Sequence, residues 1–139
     1  MKYQKSMREM NKKYLIEIDG KLIGYSDLEK ADAPMGVAFG LIEFNRIESP
    51  YEFFKEYCLK NNIVINIDDP EFEFIDTQVI SGLKVFRQDR LEIKGVAGNA
   101  ITGMKEDGYE ISILGINYPF YEEEFPHHVK EYENMFGKE

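Results

Sequence analysis

The strongest constraint on the fold is an Asp-Gly pair that separates two β-prone runs in segment 13–25, KYLIEIDGKLIGY. Both residue types tolerate the positive φ angles that a two-residue hairpin turn requires. The segment therefore predicts an antiparallel β-hairpin near the start of the chain. Further β-prone runs, most of them separated by short turns, lie at 37–44, 63–67, 72–80, 83–86, 91–96 and 108–116.

The clearest helix signal lies at 49–61, in the sequence SPYEFFKEYCLKN. Ser49 and Glu52 have the spacing of a capping box, and Pro50 occupies the first helical position. Cys58 falls on the apolar face of this helix, so we predict a packed core thiol rather than a nucleophile.

A second helix is predicted at 126–136, PHHVKEYENMF, with Gly137 as its stop. Its residues have the spacing of an amphipathic helix with one apolar stripe. The stripe consists of Val129, Tyr132, Met135 and Phe136.

No proline-, glycine- or serine-rich linker divides the chain, so residues 13–139 are predicted to form one globular domain. Because most connections between the β-prone runs are tight turns, we expect an α+β fold. The expected architecture is a mostly antiparallel sheet of about six to seven strands with two main helices, 49–61 and 126–136. Residues 1–12 are interpreted as a basic N-terminal arm.

Charge is distributed unevenly along the chain, which has a net charge of −9. Residues 1–13 carry five basic side chains and one acidic side chain, whereas the remaining 126 residues carry 12 basic and 25 acidic ones. Such an acidic body repels phosphate backbones, so a nucleic-acid partner is disfavoured. It attracts a basic protein and accelerates encounter with it. The acidity also favours solubility, which is the simpler explanation of the same composition.

Two acidic segments are the candidate partner-binding sites. Carboxylates on an exposed rim and aromatic side chains at the centre are typical of protein interfaces. The rim candidates are Asp68, Asp69, Glu71 and Glu73 in the first segment and Glu122, Glu123 and Glu124 in the second; the candidate anchors are Tyr118 and Tyr121.

Sequence motifs for chemistry are weak, and we predict no catalytic residue, metal site or cofactor. His127 and His128 are adjacent, so on a helix they point about 100° apart instead of towards one ion. Gly98 and Gly103 have the spacing of a phosphate loop, but Met104 occupies the position where that loop needs lysine. We interpret these glycines as marks of a bulge or bend.

Localisation is predicted from three further observations. The longest mostly apolar stretch, 33–44, is too short to span a bilayer, so no membrane association is expected. The single cysteine cannot form an intrachain disulfide, and the basic leader lacks an apolar run of signal-peptide length. We therefore expect a cytoplasmic protein.

Two stretches carry a family resemblance: GYSDLEKADAPMGVAFG (24–40) and ISILGINYPFYEEEFPHHVKEYENMFG (111–137). Both resemble segments of small stand-alone bacterial proteins, and acidic single-domain chains of this sort include the immunity proteins of polymorphic and contact-dependent growth inhibition toxins. Immunity families differ widely in fold, so the resemblance assigns no residue roles. It implies a protein that binds its toxin directly and needs no catalytic apparatus.

The functional expectation is therefore an immunity protein that neutralises a basic toxin domain, such as a nuclease, by direct occlusion. Two alternatives stay open. The chain could instead be a small-molecule-binding or homo-oligomeric domain, or an enzyme that uses carboxylates together with His127 or His128.

Overall fold

Ten strands pair into two antiparallel sheets in the computed structural model, which describes residues 13–136. The strands are β1 (Tyr14–Ile18), β2 (Lys21–Ser26), β3 (Lys30–Asp32), β4 (Val37–Leu41), β5 (Glu43–Phe44), β6 (Ile65–Asp69), β7 (Phe74–Thr77), β8 (Leu83–Phe86), β9 (Gly98–Met104) and β10 (Gly108–Leu114). The helices are α1 (Pro50–Lys60), α2 (Phe120–Glu124) and α3 (Pro126–Phe136), with a 3₁₀ turn at Ala33–Met35.

The α+β class and the antiparallel pairing are confirmed, but the strands number ten in two sheets, where about six to seven in one sheet were expected. The difference arises partly because β3 and β5 are only three and two residues long. Such strands are created by pairing with a neighbour and leave no periodic pattern in the sequence. The predicted arm at 1–12 and the predicted stop at Gly137 lie outside the described residues.

The first sheet has the order β5-β2-β1-β8. The predicted hairpin is confirmed: β1 pairs with β2, and Asp19 and Gly20 form the turn with φ angles of 50° and 83°. Positive φ at both positions is the signature of a type I′ turn, whose twist matches that of the flanking strands.

The second sheet has the order β3-β4-β10-β9-β7-β6, so β3 and β6 form its two edges. Along its central strands one face is buried and the other is partly exposed, as in β10, where Tyr109, Ile111 and Ile113 point inwards. These side chains and those of the first sheet belong to one hydrophobic core. The opposite face of the second sheet therefore stays open to solvent over much of its area.

Helix α1 closes the core and begins as predicted. The Ser49 hydroxyl accepts a hydrogen bond of 3.3 Å from the backbone N–H of Glu52, which satisfies one of the free donors of the first turn. Tyr51, Phe54 and Cys58 are buried in the core. The prediction that Cys58 is a packed core thiol is confirmed.

Helix α3 has the predicted bounds, but most of its apolar stripe is exposed. Val129 is partly buried against the core, whereas Tyr132, Met135 and Phe136 are exposed. The buried residue of this helix is His128. Helix α3 packs against α2, β3 and the 3₁₀ turn. Because β3 and the 3₁₀ turn are only three residues long each, they leave the last turns of α3 uncovered among the described residues.

Within residues 13–136, no helix combines the length and the apolar character that crossing a bilayer demands.

Candidate functional site

The hairpin formed by β6 and β7 is an acidic and largely exposed part of the described chain. Its segment, 61–83, contains five carboxylates and no lysine or arginine. β6 is an edge strand of the second sheet, so the hairpin projects one side towards solvent. We call residues 65–77 the acidic hairpin.

The predicted carboxylates of the acidic hairpin have different environments. Asp68 accepts hydrogen bonds from the Tyr51 hydroxyl and from Lys55, whose Nζ lies 3.1 Å away. The bond from Tyr51, supported by Lys55, lowers the pKa of Asp68 below its usual value. Because this charge is compensated by α1, Asp68 anchors the hairpin to the helix.

The other three carboxylates lie at the tip of the acidic hairpin. Asp69 accepts a hydrogen bond of 3.0 Å from the backbone N–H of Glu71 and so shapes the turn. The Glu71 side chain is exposed. Glu73 has a positive φ of 50°, and its backbone carbonyl accepts a hydrogen bond from the Tyr109 hydroxyl at 2.5 Å. The hydrogen bond from Tyr109 thus connects the tip to β10.

Two large apolar side chains are exposed on the same hairpin, and sequence reasoning missed them. Phe72, in the turn between Glu71 and Glu73, is 54% exposed, and Ile67 is 49% exposed. Exposed apolar side chains ringed by charge are typical of a binding surface with a central anchor. The sequence signal was the alternation in PEFEF at 70–74, where an aromatic residue occupies a turn.

The second predicted segment has exposed and covered members. Glu122 and Glu123 are exposed on α2. Tyr118 is exposed, stacks on Tyr121 with ring centroids 5.2 Å apart, and donates a hydrogen bond to the carbonyl of Ala33. Glu122 and Glu123 are thus free to face a partner, and the Tyr118 ring is available beside them.

Tyr121 and Glu124 do not fit the predicted roles. Tyr121 is 0% exposed, and its hydroxyl donates to the carbonyl of Val37 at 2.9 Å. The prediction that Tyr121 anchors a partner was therefore wrong, because the ring is part of the core. Glu124 is largely covered and accepts hydrogen bonds from Tyr14 at 2.7 Å and from Arg87 at 3.1 Å.

The two predicted segments do not converge on one surface. The acidic hairpin includes the edge strand β6, whereas α2 and α3 pack near β4 and the opposite edge strand β3. Four strands separate these edges.

A cleft of about 410 Å³ surrounds the Tyr14–Glu124 hydrogen bond. Arg87 bridges Glu124 and Asp89, and the hydrogen bonds from Arg87 lower the pKa of Asp89 to about 2. Both oxygens of Glu124 are engaged, one by Tyr14 and the other by Arg87. This carboxylate therefore supports the fold and is poorly placed to act as a general base.

The adjacent histidines occupy different environments. His127 is exposed at the rim of the cleft. His128 is buried, and its Nε2 lies 2.8 Å from the carbonyl oxygen of Leu28. Because a carbonyl oxygen only accepts, Nε2 donates in this contact. No group of three or more His, Cys, Asp or Glu side chains with metal-binding geometry occurs among the residues described.

Comparison of the chain with protein-family models, with curated proteins and with solved structures finds no match.

Proposed function

We propose that this chain is a binding protein that grips a basic protein partner with its acidic hairpin, and that the partner is a toxin domain which the chain neutralises by occlusion. The observation that carries the proposal is the exposure of Phe72 and Ile67 within a 23-residue stretch, 61–83, that has carboxylates and no basic side chain. An apolar anchor whose neighbours along the chain are carboxylates suits a partner of the opposite charge.

The charge and the anchor serve different steps of binding. Surface carboxylates raise the association rate, which reaches about 10⁸ to 10⁹ M⁻¹s⁻¹ at low salt for steered pairs. A buried aromatic anchor slows dissociation, and truncating such a residue commonly costs about 2 kcal/mol or more. Residues 71–73 combine both features, because the aromatic Phe72 lies between the carboxylates of Glu71 and Glu73 in the sequence.

The toxin class is supported by two considerations. Enzymes that cut nucleic acids bind phosphate backbones and therefore present basic surfaces. A row of carboxylates can cover such a surface in the place of the phosphates. The resemblance of segments 24–40 and 111–137 to small bacterial immunity proteins is consistent with this partner.

A growth experiment tests the proposal. Purification of the tagged chain from its native cells, followed by mass spectrometry, identifies the partner, which is then produced in a test strain alone and together with the chain. We expect growth arrest with the partner alone and rescue by the chain. The double variant Glu71→Lys with Phe72→Ser should abolish rescue. A partner that does not arrest growth would refute the toxin assignment.

A matched control separates a specific effect from a general one. Glu56 and Leu59 are exposed on α1, so Glu56→Lys with Leu59→Ser makes the same kinds of change at another place. This control should rescue growth as the unaltered chain does. Stopped-flow association should slow at least ten-fold between 20 and 200 mM NaCl. Rescue that is insensitive to the hairpin variant would remove the acidic hairpin from the proposal.

A further inference from the structure

The apolar stripe of α3 is covered only at its beginning. Val129 is partly buried, and Tyr132, Met135 and Phe136 follow it at spacings of three, six and seven residues. Met135 is 69% exposed and Phe136 is 67% exposed. An amphipathic helix normally turns such a stripe towards a core. The last two turns of α3 therefore present an apolar face without a covering element among the described residues.

Tyr132, Met135 and Phe136 line a groove of about 650 Å³. Val37 and Phe39 of β4 and Pro34 of the 3₁₀ turn line the same groove. The volume falls within the range of about 300 to 1,000 Å³ that is typical of ligand sites. We call this feature the α3 groove.

The charged side chains along the α3 groove are mostly acidic. Glu29, Asp32 and Glu131 line it. Among the described lining residues Lys30 is the basic one, and its ammonium is held by Glu110 at 2.5 Å. The groove thus combines apolar lining residues with more carboxylates than ammonium groups, which favours an occupant with the opposite charge.

From these features we infer that the α3 groove binds a basic amphipathic helix of a partner protein. A helix bound in a groove places side chains at spacings of three and four residues against the apolar lining residues. Lysine or arginine side chains on its flanks then meet the acidic rim, while their apolar stems cover Met135 and Tyr132. This surface is separate from the acidic hairpin and does not depend on the function proposed for it.

A second copy of the chain fits the α3 groove less well. In a twofold symmetric dimer the same patch of each copy faces its partner. The carboxylates of Glu29, Asp32 and Glu131 would then approach an identical acidic rim, and like charges across an interface oppose association.

Fluorescence anisotropy with labelled synthetic peptides tests the inference. The probe is an 18-residue peptide of leucine and lysine with leucines at spacings of three and four. The controls are a leucine–glutamate peptide with the same pattern and a leucine–lysine peptide of the same composition in scrambled order. We expect the patterned basic peptide to bind at least ten-fold more tightly than either control.

Variants of the chain show where the peptide binds. Met135→Ser with Phe136→Ser changes exposed side chains and should weaken binding at least ten-fold, whereas Leu59→Ser, on the exposed side of α1, should not. Binding that is lost with Phe72→Ser but kept with the α3 variant would overturn the groove inference and leave the acidic hairpin proposal standing. Peptide binding that is lost with Met135→Ser and Phe136→Ser but kept with Phe72→Ser would support the inference even if no toxin partner exists.

Other occupants would also be visible in the same experiments. A dimer in light scattering that dissociates with the α3 variant would overturn the inference in favour of a second copy. Peptide binding that appears only after residues 2–12 are deleted would also overturn the inference. The chain's own basic N-terminal segment would then be the occupant of the α3 groove.

Discussion

The Tyr14 hydroxyl donates a hydrogen bond of 2.7 Å to the carboxylate of Glu124, 110 residues further along the chain. This contact joins the first strand of the first sheet to α2, and the Tyr14 ring packs against Phe125 with centroids 5.8 Å apart. Burial and this hydrogen bond raise the pKa of Tyr14, so the hydroxyl keeps its proton throughout the physiological range. The two ends of the described chain are thereby held together.

Replacing Tyr14 by phenylalanine should lower the free energy of unfolding by about 1.5 to 2 kcal/mol, because a hydrogen bond to a charged acceptor is lost while the ring contact is kept. Urea unfolding followed by circular dichroism measures the change. Glu123→Gln is the control, because Glu123 is exposed beside Glu124; we expect a change within about 0.5 kcal/mol. An equal decrease in the free energy of unfolding in both variants would contradict a specific role for the Tyr14–Glu124 hydrogen bond.

Tyrosine ionisation should destabilise the fold at alkaline pH. Burial raises the pKa of Tyr109 from 10.0 to about 12, and burial likewise raises the pKa of Tyr121. Because the folded state favours the protonated form, the stability contributed by these groups is complete below pH 10 and is lost as pH rises towards 12. The latest part of the absorbance change at 295 nm, towards pH 12, should therefore coincide with the loss of circular dichroism. Full ionisation of all tyrosines near pH 10 with the fold intact would refute this account.

The thiol of Cys58 should react slowly in the folded protein. Burial raises its pKa, so the reactive thiolate is scarce at pH 8, and the side chain is inaccessible. Reaction with Ellman's reagent should be at least 100-fold slower in buffer than in 8 M urea. Fast labelling in buffer at a rate independent of urea would show that α1 opens readily.

Two glycines with positive φ offer a matched pair of alanine substitutions. An added Cβ at Gly20 meets nothing within 4 Å, whereas at Gly36 it would lie 2.5 Å from the backbone carbonyl oxygen of Ile116. Gly20→Ala should lower the free energy of unfolding by about 1 to 2 kcal/mol, because alanine disfavours the positive φ angle. Gly36→Ala should lower it by at least about 2 kcal/mol more, because backbone atoms must also move. Thermal unfolding of both variants gives the comparison, and equal costs would contradict the tight contact.

Local signals in the sequence were sufficient for the hairpin turn at Asp19-Gly20 and for the start of α1 at Ser49. Both depend on residues within a few positions of one another, so their physics can be read along the chain. The division into two sheets could not be predicted in this way. β1 pairs with β8, for example, although more than sixty residues separate Leu15 from its partner Phe86. Such pairing depends on the packing of the whole core.

The candidate site shows the same limit. Tyr118 and Tyr121 are alike in sequence context, yet the first ring is exposed and the second is buried. A tyrosine suits either place, since its ring is apolar and its hydroxyl needs only one partner. The exposure of Phe72 was missed for the converse reason: a phenylalanine is most often interior, and only the geometry of the turn places it outside. For His128, the contact with Leu28 forms across 100 residues.

The outer edge of β6 has a consequence for the behaviour of the protein at high concentration. An exposed edge invites strand-to-strand stacking between copies, the route to fibrils. In this chain a bulge between Ile65 and Ile67 interrupts the edge, and Pro70 ends it beside Asp69. Two such edges would also bring equal charges face to face. The negative charge that we propose for partner attraction thus also opposes edge-to-edge pairing of identical molecules.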